Sequence, residues 1–285
     1  MKRIAEAAKE LSEAQRQVAE FIVKSPETVA FLTAARLGQE VGVSESSVVR
    51  TAMALGYSGY PEMQRAIQEM LKGRLTTVER LRGSKRGIEK GESIPESVMR
   101  ADIEYIQATL AELSLDDFER AVKALCKARR VFVIGLRSAW AMAFFLGYSL
   151  NWVLRNVTII SNNAGEGLEQ IMCVKPADVA VAISVPRYTR LTVDLFTLAK
   201  KRGATTIGIT DSVLSPLSSC SDILLIAKSG MPSFNDSFVA PLSLINALIA
   251  GVGAENEAGT AEALEELEPL WEEHGIYVAD KSKER

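Results

Sequence analysis

Residues 33–57 read Thr-Ala-Ala-Arg-Leu-Gly-Gln-Glu-Val-Gly-Val-Ser-Glu-Ser-Ser-Val-Val-Arg-Thr-Ala-Met-Ala-Leu-Gly-Tyr, and this stretch decides how the N-terminal part of the chain folds. Thr33 is placed to cap a helix whose Leu37 and Val41 face inward. Gly42 supplies a sharp turn, Val43 fills the angle between two helices, and Ser44 caps the second. In that second helix Val48, Ala52 and Leu55 point to the core, while Glu45, Ser46, Ser47, Arg50 and Thr51 are expected on more exposed faces. A helix-turn-helix follows from this spacing; so does a plain helical hairpin with a hydrophilic surface. The serine-rich start gives the first alternative a physical use. Small hydroxyl side chains let the backbone approach a phosphate or a base edge, and a helix N-terminus favours anions. Arg50, one turn further in, reaches a guanine edge or a phosphate.

Outward from this stretch, apolar residues recur at helical spacing from Leu11 to Leu71, with no alternating strand pattern. Ser12 caps a helix whose Val18, Phe21 and Ile22 share a face. Ser25-Pro26 stops it, because a residue before proline disfavours the α region. A further helix is expected over residues 26–31, continuing toward Thr33. Residues 72–100 mix Gly73, Gly83, Gly87, Gly91 and Pro95 with Lys and Arg and read as a linker, with helix still open over residues 71–81.

From Val131 short β-branched runs alternate with helical stretches: VFVIG (131–135), VTII (157–160), VAVAIS (179–184), TTIGIT (205–210) and ILLIA (223–227). Crossover helices fit residues 139–154 and 189–201. Continuous apolar strands separated by helices predict a parallel sheet covered on both faces. Residues 257–273 form an acidic helix rich in Ala, Leu and Glu. The fold class is therefore multidomain: an all-α helix-turn-helix domain over residues 1–80, a linker over 81–105, an α/β parallel-sheet domain over 106–256, and an acidic C-terminal helix and tail over 257–285.

The chain has 285 residues, 47% of them hydrophobic and 24% charged, which suits two soluble domains. The opening MKRIAEAAKE is charged throughout, unlike a signal peptide, and no apolar run reaches membrane-spanning length. A cytoplasmic protein without membrane attachment is expected. Cys126, Cys173 and Cys220 are widely spaced and suggest buried thiols rather than disulfides or a metal site. The net charge of −3 is unevenly divided: residues 1–90 carry +4 and the remainder −7. A basic N-terminal surplus fits an appended nucleic-acid-binding domain, and equally a solvated basic face.

Two loops of the α/β region carry candidate ligand chemistry. After the first strand, Gly135-Leu-Arg-Ser138 turns into a helix. The glycine allows the turn, and Arg137 and Ser138 stand beside free helix-start amides, an arrangement suited to phosphate. After the third strand comes Ser184-Val-Pro-Arg-Tyr-Thr189, where Arg187 offers a charged fork with Ser184 and Thr189 as hydroxyl donors. A helix cap in the first loop and a surface ion pair in the second are the alternatives. Ser233, Asn235 and Ser237 precede an apolar helix over residues 239–249 and are expected to cap it rather than close over a ligand.

From Leu11 onward the chain resembles the RpiR family of bacterial transcription regulators. The residues that carry this are LSEAQRQVAEFIV (11–23), LGQEVGVSESSVVR (37–50) and LGYSGYPEMQRAI (55–67). The resemblance implies that Ser44, Ser46, Ser47, Arg50, Thr51 and Tyr57 bind operator DNA. The later loops, with ITDSVLSPLSSCSDILL (209–225), resemble the sugar isomerase (SIS) domain, a phosphosugar-binding fold of flavodoxin type. Gly135, Ser138, Ser184 and Thr189 match its phosphosugar positions. The family's SxSGxT loop is here Ser184-Val-Pro-Arg-Tyr-Thr189, with Pro186 and Arg187 replacing the second serine and the glycine.

These readings imply a homodimer or homotetramer presenting two recognition helices to a symmetric operator, with a sugar phosphate or similar anion shifting its DNA affinity. Cofactors and metals are not called for. The rival is a phosphosugar isomerase or lyase, which needs a positioned acid or base. Its candidates are Glu166 and Glu169. The single histidine, His274, lies far from the candidate loops in sequence.

Overall fold

A computed structural model describes residues 11–71, 76–87, 93–161, 164–230 and 233–278. The opening decapeptide, the expected linker glycines Gly73 and Gly91, and residues 279–285 of the expected tail lie outside these. The chain forms two compact units: Met1–Asp102 with Gly230–Ser237, and Ile103–Ser229 with Phe238–Arg285.

The first unit is helical: α1 (Glu13–Lys24), α2 (Pro26–Val29), α3 (Ala34–Val41), α4 (Glu45–Ala54), α5 (Tyr60–Leu71) and α6 (Thr77–Gly87). Pro26 opens α2, where its missing N–H costs nothing. Val18, Ile22, Leu37, Val48, Ala52 and Leu55 meet in one core with Tyr60, Met63 and Ile67. Short α2 leaves carbonyls that need donors, and α5 supplies them. The Tyr60 hydroxyl donates to Leu32 O at 2.7 Å, and Gln64 and Gln68 Nε2 donate to Leu32 O and Ala30 O at 2.8 and 2.7 Å. Burial pushes the Tyr60 phenol far above its ordinary pKa.

Residues 72–100, expected as linker, hold α6 and the start of α7 (Ile94–Glu112). The reason lies in two reciprocal caps. Thr76 N and Oγ1 each donate to Glu79 Oε2 at 2.7 Å, while Glu79 N donates back to Thr76 Oγ1. Ser93 and Glu96 repeat the arrangement. Pro95 therefore stands in a first helical turn, where proline is tolerated, rather than in a linker.

The second unit continues with α8 (Leu115–Lys127), β1 (Val131–Ile134), a 3-10 turn (Arg137–Ala139), α9 (Trp140–Leu154), β2 (Val157–Ile159), α10 (Ala164–Ile171), β3 (Val179–Ile183), α11 (Arg190–Lys201), β4 (Thr205–Thr210), β5 (Ile223–Ile226), α12 (Val239–Glu255) and α13 (Glu257–Glu273). The five strands are parallel in the order β2-β1-β3-β4-β5, with Val131 paired to Val157 on one side and Val179 on the other. Alternation then sends Val131, Val133, Val179 and Val181 to one core with α8, α9 and α12, and Phe132, Ile134, Ala180 and Ala182 to the other with α11. Both faces are covered, which is why the strands read as unbroken apolar runs.

One surface of this unit is aromatic. Trp140, Phe144, Tyr148 and Trp152 recur every fourth residue along α9; the first three stack in succession, Trp152 meets Tyr148 edge-to-face, and the row continues edge-to-face through Trp271 to Tyr277. Phe144 and Tyr148 remain 43% and 49% exposed. Cys126 and Cys220 are half-buried and Cys173 is exposed, which corrects the expectation of buried thiols. No single helix among the described residues is long and apolar enough to cross a membrane.

Candidate DNA-binding and ligand-binding sites

In the helical unit the expected caps are present. Thr33 Oγ1 accepts from Arg36 N at 3.3 Å and Ser44 Oγ from Ser47 N at 3.2 Å. Gly42 takes φ +81° between α3 and α4, a left-handed conformation that L side chains rarely adopt. Ser44, Ser46 and Arg50 are exposed along the start and outer side of α4. Ser44 Oγ lies 2.9 Å from both Ser46 Oγ and Ser47 Oγ, gathering three hydroxyls at the helix N-terminus. This cluster, with the amides behind it, is suited to an oxyanion.

Two expected residues are corrected. Thr51 is fully buried, and its hydroxyl donates to Ser47 O at 2.7 Å, so it braces α4 from within. Ser47 is also buried. Four residues separate the two, which puts both on the side of α4 that carries Val48 to the core. Tyr57 is half-buried against that same core.

In the α/β unit the strand order reverses between β1 and β3, and in open parallel sheets ligands sit at the carboxyl ends of strands at that point. Both candidate loops leave there. Gly135 is required by space: a Cβ would lie 2.7 Å from Ala139 O and from Ala143 Cβ. It brings the end of β1 against the turn that carries Arg137 and Ser138, both exposed. Ser184 is buried, its N–H donating to Ile209 O at 3.1 Å as an added rung of the β3–β4 pairing. Thr189 is the N-cap residue of α11 but makes no capping bond with its own helix.

Arg137 and Arg187 adopt φ +57° and +61°. An L residue there costs on the order of 1–2 kcal/mol relative to its ordinary conformation. Such strain on both loops of one strand pair is the kind that concentrates at ligand sites. Arg187 occupies the glycine position of SxSGxT, so the glycine-like backbone is kept while a cation is added.

Tyr188 and Asp211 were missed by sequence reasoning. The Tyr188 hydroxyl donates to Asp211 Oδ1 at 2.8 Å, tying the β3 loop to the end of β4. Asp211 is 1% exposed. An aspartate directly after TTIGIT was the available signal, since it falls at the same sheet edge. Ser233, Asn235 and Ser237 do not cap α12, whose N-cap is Phe238. Ser237 Oγ instead donates to Asp102 Oδ1, and Ser233 Oγ pairs with the Asn235 backbone.

Of the residues considered for proton transfer, Glu166 accepts from Ser161 Oγ at 2.6 Å at the start of α10, and His274 terminates α13. Among the described residues no group of His, Cys, Asp and Glu could hold a metal ion.

The comparisons with known proteins agree with this architecture. Residues 1–73 match the helix-turn-helix domain of the rpiR family, and residues 124–251 match the SIS domain. The HTH-type transcriptional regulator HexR of Pseudomonas aeruginosa is 28% identical over 253 residues, covering 85% of each chain. The sugar isomerase domain of an RpiR transcription factor from Sphaerobacter thermophilus is 29% identical with a TM-score of 0.60, over 62% of this chain and 99% of that one. Vibrio vulnificus NanR, solved with ManNAc-6P, superposes with a TM-score of 0.60 over 97% and 98% of the two chains at 19% identity. With an RpiR-type helix-turn-helix at its start and a SIS domain after it, this chain belongs to the RpiR family of helix-turn-helix transcription regulators.

Proposed function

We propose that the α/β unit is the sensor of this regulator and that a sugar phosphate, held at the β1–β3 switch point, adjusts its affinity for operator DNA in carbohydrate metabolism. The observation that carries this reading is the pair of loops Gly135–Ser138 and Ser184–Thr189, which leave adjacent strands at one edge and each hold an arginine in a left-handed conformation. Arg137, Arg187, Ser138, Ser184 and Thr189 together supply charge-assisted and neutral donors for a phosphate and sugar hydroxyls. The ManNAc-6P bound by NanR supports the same ligand class. On the DNA side, Ser44, Ser46 and Arg50 contact phosphates and base edges, with Tyr57 beside them.

The role is binding, not catalysis, and the setting is the cytoplasm. Two copies, or two pairs, act together: the aromatic row on α9 is the self-complementary surface. That helix carries no charged side chain from Trp140 to Leu154, so it brings no charge of its own into contact with a second copy.

The test is a thermal-shift panel of sugar phosphates on the full chain, because a ligand that binds only the folded state raises its melting temperature. A selective shift that disappears in Arg187→Ala is expected; a shift unchanged by that substitution removes Arg187 from the site. Light scattering on Phe144→Glu is expected to give the mass of one chain, where the native protein gives two or four.

A further inference from the structure

The groups assigned to the phosphate are all able to donate. Arg137 and Arg187 only donate, while the hydroxyls of Ser138, Ser184 and Thr189 turn either way. Such a set holds an oxyanion but does not by itself tell a sugar phosphate from bare phosphate. That distinction needs a group fixed as an acceptor, because a sugar brings several hydroxyl protons, whereas an ionised phosphate mostly accepts.

Tyr188 is fixed in this way. Its hydroxyl donates to Asp211 Oδ1 at 2.8 Å. A phenol has one proton, so any further hydrogen bond at that oxygen is received from a donor. The acceptor beneath it is well anchored. Asp211 is the first residue beyond β4, where Ser184 N donates to Ile209 O at 3.1 Å and Ala227 N to Thr210 O at 2.7 Å. The Thr210 hydroxyl also donates to Asp211 Oδ1, at 3.4 Å. Asp211 is 1% exposed, whereas Tyr188 is half-buried and stands in the chain between Arg187 and Thr189. The carboxylate is sealed from a ligand; the tyrosine is not.

Strand order gives this acceptor a side. β3 lies between β1 and β4, with neighbouring strands about 4.8 Å apart. The loops bearing Arg137 and Arg187 leave β1 and β3, and Asp211 ends β4, so the charge changes sign along the sheet edge. A phosphate is drawn to the arginines and repelled by Asp211. The β4 side is left to the uncharged remainder of the ligand.

We propose that Tyr188, held as an acceptor by Asp211, is the residue that selects a sugar phosphate over phosphate alone, by receiving a hydroxyl or amide proton of the sugar. This rests on the sensor function proposed above. Asp211 is a positioning residue, acting through the tyrosine without touching the ligand. The two replace what the glycine of SxSGxT cannot offer, a side chain that reads the sugar.

The test is isothermal titration of the full chain with inorganic phosphate and with the 6-phosphates of glucose, fructose and N-acetylmannosamine. Native protein is compared with Tyr188→Phe, which removes one oxygen, and with Tyr188→Phe combined with Asp211→Asn, which leaves no buried carboxylate short of that bond. The quantity read is the affinity for the tightest sugar phosphate divided by that for inorganic phosphate. A neutral hydrogen bond predicts a fall of roughly 2- to 12-fold in this ratio in both variants, with the affinity for inorganic phosphate kept. Arg187→Ala, by contrast, should weaken all four together. A ratio unchanged in the variants overturns the assignment and leaves the sensor function standing. So does an equal loss for all four compounds, since Tyr188 then only shapes the loop, and so does a native chain that binds phosphate and sugar phosphates alike. A native chain that binds none of the four overturns both. Should Tyr188→Phe fail to fold, the double variant decides alone.

Discussion

Replacing Arg187 separates the two things its backbone and side chain do. At φ +61° an L residue is strained by roughly 1–2 kcal/mol. Glycine removes that strain but loses about 0.5–1 kcal/mol more to unfolded-state freedom than alanine does. Arg187→Gly should therefore be more stable than Arg187→Ala by about 0.5–1 kcal/mol, which is about 1–4 °C in melting temperature for a unit of this size. Both variants lose the guanidinium, and hydrogen bonds to a charged group contribute about 1.5–3 kcal/mol, so sugar-phosphate affinity should fall by roughly 10- to 150-fold in each. Scanning calorimetry gives the first comparison and isothermal titration with the best ligand of the panel gives the second. An alanine variant that melts above the glycine variant would show that the left-handed turn is not strained. Native affinity in both would show that the arginine faces away from the ligand.

Arg50→Ala should weaken operator binding and, if it meets a phosphate, lower the slope of log affinity against log salt by about 1 while leaving ligand binding intact; equal affinity across a salt titration would remove it from the interface. Gly42→Ala meets no atom within 4 Å, so its cost is backbone alone, about 1 kcal/mol by urea denaturation of the helical unit, and a neutral result would contradict the left-handed turn. Asp222 is pushed up by burial, but the Thr206 hydroxyl and amide, with Lys200, outweigh this and hold its carboxyl below the ordinary value. Its contribution is therefore present above pH ~4 and lost as pH falls through the folded pKa. Asp222→Asn should flatten the acid limb of a stability profile, and an unchanged limb would assign acid lability elsewhere.

The central strands were legible because β1, β3 and nearly all of β4 are buried on both faces, and a short β-branched apolar run bounded by turn residues favours a strand. The helix-turn-helix was legible from its caps: Thr33, Gly42 and Ser44 each do what their chemistry suggests. Residues 72–100 misled because glycine and charge were weighed above the capping pairs Thr76–Glu79 and Ser93–Glu96, which were equally present in the sequence. Thr51 misled because a polar side chain was assigned outward, whereas a threonine hydroxyl satisfied by the carbonyl four residues back is content inside. The burial of Arg80 has no local signature. Its partner Asp236 lies 156 positions away, and only the tertiary fold pairs them. Tyr188 and Asp211 are likewise joined by adjacency of β3 and β4, a relation that strand order supplies and sequence spacing does not.

The aromatic row has a spectroscopic consequence. All three tryptophans of the chain, Trp140, Trp152 and Trp271, lie in it. Intrinsic emission excited at the red edge of indole absorbance thus reports a single surface of the α/β unit, and the helix-turn-helix is dark. Dilution through a dissociation midpoint should move the emission maximum as Trp140 meets water, while docking onto a duplex registers only insofar as it reaches that surface.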